Sequence, residues 1–187
     1  LLYIHGGGFM MGSPRSHRII TNTLSRITNA SVLAIDYRLT PENKRVACIE
    51  DCQAAYKWIL DNGPDGQTVA PSSFFIAGDS AGGNLTLTTI AWARDEGLPA
   101  VNAAVALSPL TDSTFSSPSM RSNIETDHML GPTLAPMTKM PQILRAWIGL
   151  IMNRVKPNDP RVSPIFGDLS DLPPTLVQAS EAEVLLD

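Results

Sequence analysis

A serine between small residues follows an apolar run in the first half of the chain. Residues 78–82 read Gly-Asp-Ser-Ala-Gly directly after Phe74–Ala77. Small residues permit a tight turn from a strand into a helix, and such a turn pushes the Ser80 hydroxyl out into a cleft. The N-terminus of that helix then favours negative charge developing beside the serine. The pattern predicts acyl transfer with Ser80 as the nucleophile; the alternative is that Ser80 only caps the helix.

A glycine-rich segment follows the first apolar run of the chain. Residues 5–8 read His-Gly-Gly-Gly after Leu1–Ile4. Such segments commonly supply the oxyanion hole of a serine nucleophile, because a backbone without side chains can approach the substrate closely. We expect the backbone N–H of Ala81 to be one donor and the glycine segment to supply the others. His5 is expected to brace the segment through a hydrogen bond, and His17 to lie on a helix surface.

The elements that position these motifs alternate between strands and helices. Apolar runs and helical spacings predict strands at Leu1–Ile4, Ser31–Ile35, Ser72–Ala77, Val101–Leu107 and Thr175–Ala179, and helices at Ser13–Thr28, Ala47–Leu60 and Gly83–Glu96. This alternation with short links favours an α/β fold, a mostly parallel, doubly wound sheet with helices on both faces. Ligands bind at the carboxyl ends of the strands in such sheets, and both glycine motifs lie at such ends.

The stretch from Ser113 to Asp159 breaks this alternation. It is rich in serine, proline and methionine and contains one helical run at Gln142–Met152. Long excursions between strands are usually functional and often form lids. We therefore expect one catalytic domain with a core at residues 1–112, a cap insertion at 113–160 that lines the acyl pocket, and a return to the core with the acid loop at 161–187. Adaptable methionine side chains suit such a lid, namely Met120, Met129, Met137 and Met140.

A serine nucleophile needs a base and a carboxylate that orients the base. In an α/β-hydrolase these residues follow in the order serine, acid, histidine. The carboxylates after the strand predicted at Thr175–Ala179 are Glu181, Glu183 and Asp187. All three histidines of the chain precede this position, so the base is expected beyond its C-terminal end. The alternative base is His128, in the predicted cap.

Composition limits the other function classes. The formal net charge is −4 with no basic run, which argues against nucleic acid and anionic membranes as partners. No apolar stretch reaches the roughly eighteen residues of a membrane span, and a cytoplasmic location is expected. Cys48 and Cys52, four apart on a predicted helix, are interpreted as buried thiols, with a disulfide or a metal pair as the alternative. We expect no metal and no cofactor; the oligomeric state stays open, with a homodimer as one possibility.

Several segments together resemble the hormone-sensitive-lipase-like esterases, the bacterial family IV type of α/β-hydrolase. The matching positions are residues 5–9, 36–42, 78–85, 108–109, 127, 159–160, 163–164, 172–175 and 183–187. The resemblance implies an α/β-hydrolase fold with a cap and a carboxylic ester hydrolase that acts on short-acyl esters without a cofactor. Such relatives carry segments before and after the matched part, so the chain is expected to be a fragment, inactive by itself.

The resemblance also implies roles for particular residues. Ser80 corresponds to the nucleophile, and Gly7, Gly8 and Ala81 correspond to the oxyanion donors. The position of the triad acid falls on Glu183, one methylene longer than the aspartate of many relatives, with Asp187 as the second choice. Asp79 is expected to fix the turn around Ser80 rather than to take part in chemistry.

Two other functions remain open from the sequence. A ligand-binding protein of the receptor type, such as the plant gibberellin receptors, resembles the same family but has lost the catalytic base. An amidase or arylformamidase would use the same fold and nucleophile, because the fold alone does not fix the substrate.

Overall fold

Five strands form a single parallel sheet in the computed structural model, which describes residues 1–187 apart from the side chains of Ala146 and Met152. The strand order is β2-β1-β3-β4-β5, and every neighbouring pair is parallel. The strands are β1 (Leu2–Ile4), β2 (Leu33–Ala34), β3 (Phe75–Asp79), β4 (Ala103–Leu107) and β5 (Thr175–Gln178). The predicted α/β class with a parallel sheet is confirmed.

The helices connect and cover these strands. They are α1 (Arg18–Thr28), α2 (Arg45–Asp61), α3 (Ala81–Asp95), α4 (Ser119–Ser122), α5 (Gly131–Thr138) and α6 (Gln142–Asn153), with a 3₁₀ turn at Pro164–Phe166. Helix α3 packs on β1, β3 and β4 and also against α2, so it lies in the middle of the core. Its apolar residues Leu85 and Ile90 are therefore almost fully buried.

Two element boundaries differ from the sequence prediction for identifiable reasons. Strand β3 continues to Asp79 and α3 begins at Ala81, so a single residue, Ser80, makes the whole turn. Helix α1 begins at Arg18 rather than at Ser13, because the hydroxyls of Ser13 and Ser16 each accept a hydrogen bond from the other's backbone N–H. Such local bonds compete with the first turn of a helix.

The segment between β4 and β5 contains more helix than was predicted. The predicted run is present as α6, but α4 and α5 were not expected. Helix α5 contains Pro132 in its first turn and Pro136 inside it. Proline normally argues against a helix because it lacks a backbone donor, but the first turn does not need that donor.

Three simple properties follow from the described residues. Cys48 and Cys52 are buried and free, as predicted. None of the described helices combines the length and the apolar character that crossing a bilayer requires. In the same part of the chain, histidine, cysteine, aspartate and glutamate side chains form no group of three or more that could hold a metal ion.

Candidate active site

Ser80 has a backbone conformation that few residues other than glycine adopt. Its φ is 52° and its ψ is −114°, between the end of β3 and the start of α3. The surrounding backbone holds this geometry: the N–H of Ser80 donates to Leu107 O at 2.7 Å, and Ser80 O accepts from Leu110 N at 3.2 Å. The Ser80 side chain makes no capping hydrogen bond to α3. Strain of this kind is typical of functional residues held by a rigid scaffold.

Two glycines allow the turn at Ser80 to sit directly on β1. A Cβ atom at Gly82 would lie 1.9 Å from the carbonyl oxygen of Ile4, and one at Gly78 would lie 2.4 Å from the carbonyl oxygen of Gly82. Neither position has room for a side chain. The first turn of α3 therefore rests against the end of β1, which is also where the glycine-rich segment begins.

The glycine-rich segment forms a tight loop at the same edge of the sheet. Gly7 and Gly8 have φ values of 122° and 61°, in the region that favours glycine. The carbonyl oxygen of Gly7 accepts hydrogen bonds from Met10 N and Met11 N, at 3.1 and 3.0 Å, which closes the loop. The backbone N–H groups of Gly7, Gly8 and Ala81 have no acceptor among the described residues. They are free to bind an anionic oxygen.

Asp79 joins the turn at Ser80 to the glycine loop. Its Oδ1 atom accepts a hydrogen bond from the Tyr3 hydroxyl at 2.7 Å and another from Gly6 N at 3.0 Å. The expectation that Asp79 fixes the turn agrees with these contacts. His17 was expected on a helix surface, but its ring is mostly buried and its Nε2 lies 3.5 Å from Oδ2 of Asp79. It faces inward because α1 starts beside the glycine loop.

His5 supports the loop from below. Its side chain is 1% exposed, its Nδ1–H donates to Gly6 O at 2.7 Å, and its ring stacks on Tyr37 with the centroids 4.2 Å apart. Tyr37 in turn donates its hydroxyl to His5 O at 2.8 Å, and Thr40 donates from N and Oγ1 to Phe9 O. Residues 37–40 therefore act as a brace behind the glycine loop.

The burial of the His5 side chain makes the free energy of unfolding depend on pH. Burial lowers the pKa of His5 below its ordinary value of 6.5, so the unfolded chain binds a proton more readily than the folded one. The free energy of unfolding is therefore expected to fall as the pH drops below about 6.5, by at most about 1.4 kcal/mol per pH unit from this group. Urea unfolding between about pH 5 and pH 8 measures this slope. His5→Phe should flatten it, and an unchanged slope in that variant would contradict the role given to His5.

A cavity of about 310 Å³ opens above Ser80. Gly8, Ser80 and Ala81 contribute to its floor, and side chains of α5 and α6 contribute to its walls. The lining is mostly apolar and includes Phe9, Met10, Leu110, Phe115, Leu130, Leu134, Met137, Ile148 and Leu185. Of the four methionines expected in the lid, Met137 lines the cavity, whereas Met120 is buried elsewhere, Met129 is exposed and the half-buried Met140 does not line the cavity.

The loop after β5 carries the candidate acids. The Oε2 atom of Glu183 is buried and accepts no hydrogen bond from the described residues. Asp187 is exposed, and one oxygen of its carboxylate is already engaged, because Oδ2 accepts from Ser119 N at 2.6 Å. Glu181 is exposed. The three carboxylates thus differ in environment although they lie on one short loop.

The histidines of the chain do not line the cavity. His5 and His17 lie behind the glycine loop, and His128 is exposed. Within the described part of the chain, no imidazole therefore stands in the cavity with Ser80.

The whole chain is similar to known proteins. A family profile described as "alpha/beta hydrolase fold" matches residues 1–187. The chain belongs to this α/β-hydrolase family. The chain is 36% identical to an acetyl-hydrolase of Streptomyces hygroscopicus over 187 residues, all of this chain and 58% of the relative. It is 38% identical to the carboxylesterase/phospholipase LipF of Mycobacterium tuberculosis, again over the whole chain but 48% of the relative.

Solved structures of esterases are also similar to this chain over almost its whole length. EstE7, a hormone-sensitive-lipase homologue from a metagenome library, matches with a TM-score of 0.83 and 35% identity, over 99% of this chain and 59% of that one. The predicted resemblance to hormone-sensitive-lipase-like esterases is thereby confirmed, and so is the predicted α/β-hydrolase fold. The chain spans about half the length of the curated relatives it matches.

One buried polar pair of this α/β-hydrolase was not identified from the sequence. Asn84, in α3, donates to Leu110 O at 2.6 Å and to Val162 O at 2.9 Å, and its Oδ1 accepts from Arg45 at 2.7 Å. Arg45 lies over the Phe9 ring, and burial lowers its pKa to about 9. The pair ties α2 and α3 to the loops around the cavity. A single arginine at the start of a helix gives no sequence signal of burial, since arginine is normally exposed.

Proposed function

We propose that this hydrolase cleaves carboxylic esters through an acyl-enzyme on Ser80. One observation carries the proposal: the strained Ser80 lies on the floor of one apolar cavity with Gly8 and Ala81, whose N–H groups, like that of the adjacent Gly7, have no acceptor among the described residues. A nucleophile and an oxyanion hole at the same point are what acyl transfer requires. The printed names of the relatives, acetyl-hydrolase and carboxylesterase, support an ester as the substrate.

The reaction would proceed in two halves. The Ser80 oxygen attacks the ester carbonyl while a base takes its proton, and the three N–H groups stabilise the resulting oxyanion. The N-terminus of α3 points at the same charge and adds to this stabilisation. The alcohol then leaves with the proton, and a water activated by the same base releases the acid and regenerates Ser80.

We assign the triad acid to Glu183 rather than Asp187. A carboxylate that orients an imidazole needs a free oxygen facing that imidazole. The Oε2 of Glu183 is buried and has no partner among the described residues, whereas Asp187 is an exposed residue whose Oδ2 is held by Ser119 N. The base would be a histidine from outside residues 1–187, since none of His5, His17 and His128 lines the cavity.

The cavity also suggests the kind of substrate. Its volume of about 310 Å³ is at the small end of the usual range for ligand pockets, and its walls offer few polar groups. We expect short, apolar acyl groups to fit there. In this view residues 113–160, which carry α5 and α6, serve as the cap over the core formed by residues 1–112 and 161–187. No cofactor takes part in this chemistry.

Covalent trapping tests the proposal directly. The full-length protein is treated with phenylmethylsulfonyl fluoride, and the modified residue is located by mass spectrometry of its peptides. We expect one sulfonyl group per chain, on Ser80, and a matching loss of p-nitrophenyl butyrate hydrolysis. Labelling elsewhere with Ser80 unmodified would contradict the proposal. A faster turnover of the corresponding anilide than of the ester would favour an amidase instead.

A further inference from the structure

The cap segment next to the cavity is hydrogen-bonded to the loop that carries the candidate acid. We call residues 119–127 the anchor segment and residues 181–187 the acid loop. Asn123 donates through Nδ2 to the carbonyl oxygens of Glu181 and Glu183, both at 2.8 Å. Thr126 donates to Ala182 O at 3.0 Å, and further bonds join Ser119 to Val184 O and to the Asp187 carboxylate. The acid loop is thus held mainly by the cap.

The peptide group after Glu183 is fixed on both of its polar atoms. Its carbonyl oxygen accepts from Asn123, and its N–H, which belongs to Val184, donates to Oδ2 of Asp127 at 3.0 Å. A peptide plane held at both ends cannot rotate without breaking a hydrogen bond. Because that plane sets the backbone direction at Glu183, the two cap side chains determine where the Glu183 side chain starts.

The carboxylate of Glu183 has no comparable support of its own. Its Oε2 atom is buried without a hydrogen-bond partner among the described residues. The position of the carboxylate therefore depends on the backbone beneath it, and the backbone depends on the anchor segment.

Asp127 also holds the wall of the cavity. Its Oδ1 accepts from Met129 N at 3.0 Å and from Leu130 N at 2.8 Å, in the turn that leads into α5. Leu130 lines the cavity. Burial alone would raise the pKa of Asp127, but backbone N–H groups around it bring the pKa below its ordinary value, so it stays ionised at neutral pH. One buried carboxylate thus contacts both the cavity wall and the acid loop.

We infer that Asn123 and Asp127 are positioning residues that set the orientation of Glu183 and link it to the cap wall of the acyl cavity. The inference rests on the proposed function, in which Glu183 orients the catalytic base. It adds that the cap, as well as the core, determines whether the triad is aligned. A substrate that packs against α5 would then press on the segment that holds the acid.

The test compares Asn123→Ala with Glu183→Gln in the full-length protein, using p-nitrophenyl butyrate. Glu183→Gln should lower kcat by about 10³- to 10⁴-fold, the usual effect of losing the orienting acid. Asn123→Ala should lower kcat by about 10- to 100-fold while KM changes by less than about twofold, as is typical when the support of a catalytic group is lost. Combined with Glu183→Gln, it should add no more than about a twofold loss, because both changes act through the same carboxylate.

Two further variants separate positioning from a general loss of stability. Asn102→Ala removes the acceptor of a hydrogen bond from Phe74 N at the opposite edge of the sheet, so it should change stability but not kcat. Thr126→Val removes the hydroxyl that donates to Ala182 O and to Asn123 O, and because it leaves the bonds to the Glu183 peptide in place it should give a smaller loss of kcat than Asn123→Ala. It also keeps the test valid if Asn123→Ala fails to fold.

The outcomes distinguish the two proposals. An unchanged kcat in Glu183→Gln would overturn the assignment of the acid and this inference with it. A strong effect of Glu183→Gln with wild-type kcat in the anchor variants would overturn only the inference. Full additivity of Asn123→Ala and Glu183→Gln would also overturn it, because Asn123 would then act elsewhere.

Discussion

Replacing Ser80 with alanine is expected to lower kcat for p-nitrophenyl butyrate by about 10⁶-fold, which is the usual cost of removing a serine nucleophile. The fold should tolerate the change. The turn depends on the backbone bonds of residue 80 to Leu107 and Leu110 and not on its side chain, which makes no capping bond. Steady-state kinetics of the full-length protein, together with its urea unfolding curve, measure both expectations.

A matched control is Ser72→Ala, an exposed serine before β3 at the far edge of the sheet. It should leave both turnover and unfolding unchanged. If Ser80→Ala kept more than about a tenth of wild-type kcat, hydrolysis would not pass through an acyl-enzyme at this residue, because residual catalysis without the nucleophile is smaller by several orders of magnitude. Loss of activity accompanied by unfolding would instead indicate that the side chain has a structural role.

Gly82→Ala is expected to destabilise the protein by about 3 kcal/mol or more, against the simple expectation for a helix. Alanine is favoured over glycine inside helices by about 1 kcal/mol, so propensity alone predicts a gain. The added Cβ, however, would lie 1.9 Å from the carbonyl oxygen of Ile4, and its nearest neighbours are all backbone atoms of Ile4 and His5, which cannot move aside as a flexible side chain could. The steric clash should outweigh the gain in helix propensity. It should also push α3 away from β1 and reduce turnover, because Ser80 would be displaced from the glycine loop.

Gly97→Ala provides the comparison. Gly97 follows α3 with a φ of 66°, and a Cβ there would meet no atom within 4 Å. That variant should lose only about 1 kcal/mol, the cost of the left-handed backbone for an alanine. Urea unfolding of both variants measures the difference in their free energies of unfolding. Equal stability of Gly82→Ala and Gly97→Ala would mean that the close approach between α3 and β1 is not required.

Local sequence signals were sufficient to predict the strands of the sheet. The apolar runs before residues 5 and 78 and the runs at 101–107 and 175–179 correspond to β1, β3, β4 and β5. Strands β1 and β3 are largely buried, and a buried parallel strand is apolar on both faces, so its signal is contained in a few consecutive residues. Strand β5 is exposed along its whole length, but it too is a short run with an apolar centre. Helix α5 escaped prediction for the opposite reason. Its two prolines weaken the local signal, and part of its support comes from Asp127, which binds the N–H groups of the preceding turn.

The same distinction applies to the site. Residue types and spacing singled out Ser80, the glycine loop and the group of carboxylates after β5 as candidates, because each motif is a short segment at the end of a strand. The residues alone left Glu181, Glu183 and Asp187 open as the acid, and the family resemblance placed Glu183 first and Asp187 second. The structure separates their environments through Ser119, which lies 68 residues before Asp187 and binds its carboxylate.

The sequence by itself thus determined the α/β class and made Ser80 the candidate nucleophile, since both depend on short runs of neighbouring residues. Only the tertiary structure decided which hydrogen bonds hold those segments together. Asp79 binds the glycine loop, Asn84 binds the loops around the cavity, and Asn123 binds the acid loop. Each of these bonds joins one polar side chain to the backbone of a distant segment. Such a bond has no periodicity and no fixed spacing, and it becomes visible only when the chain is folded.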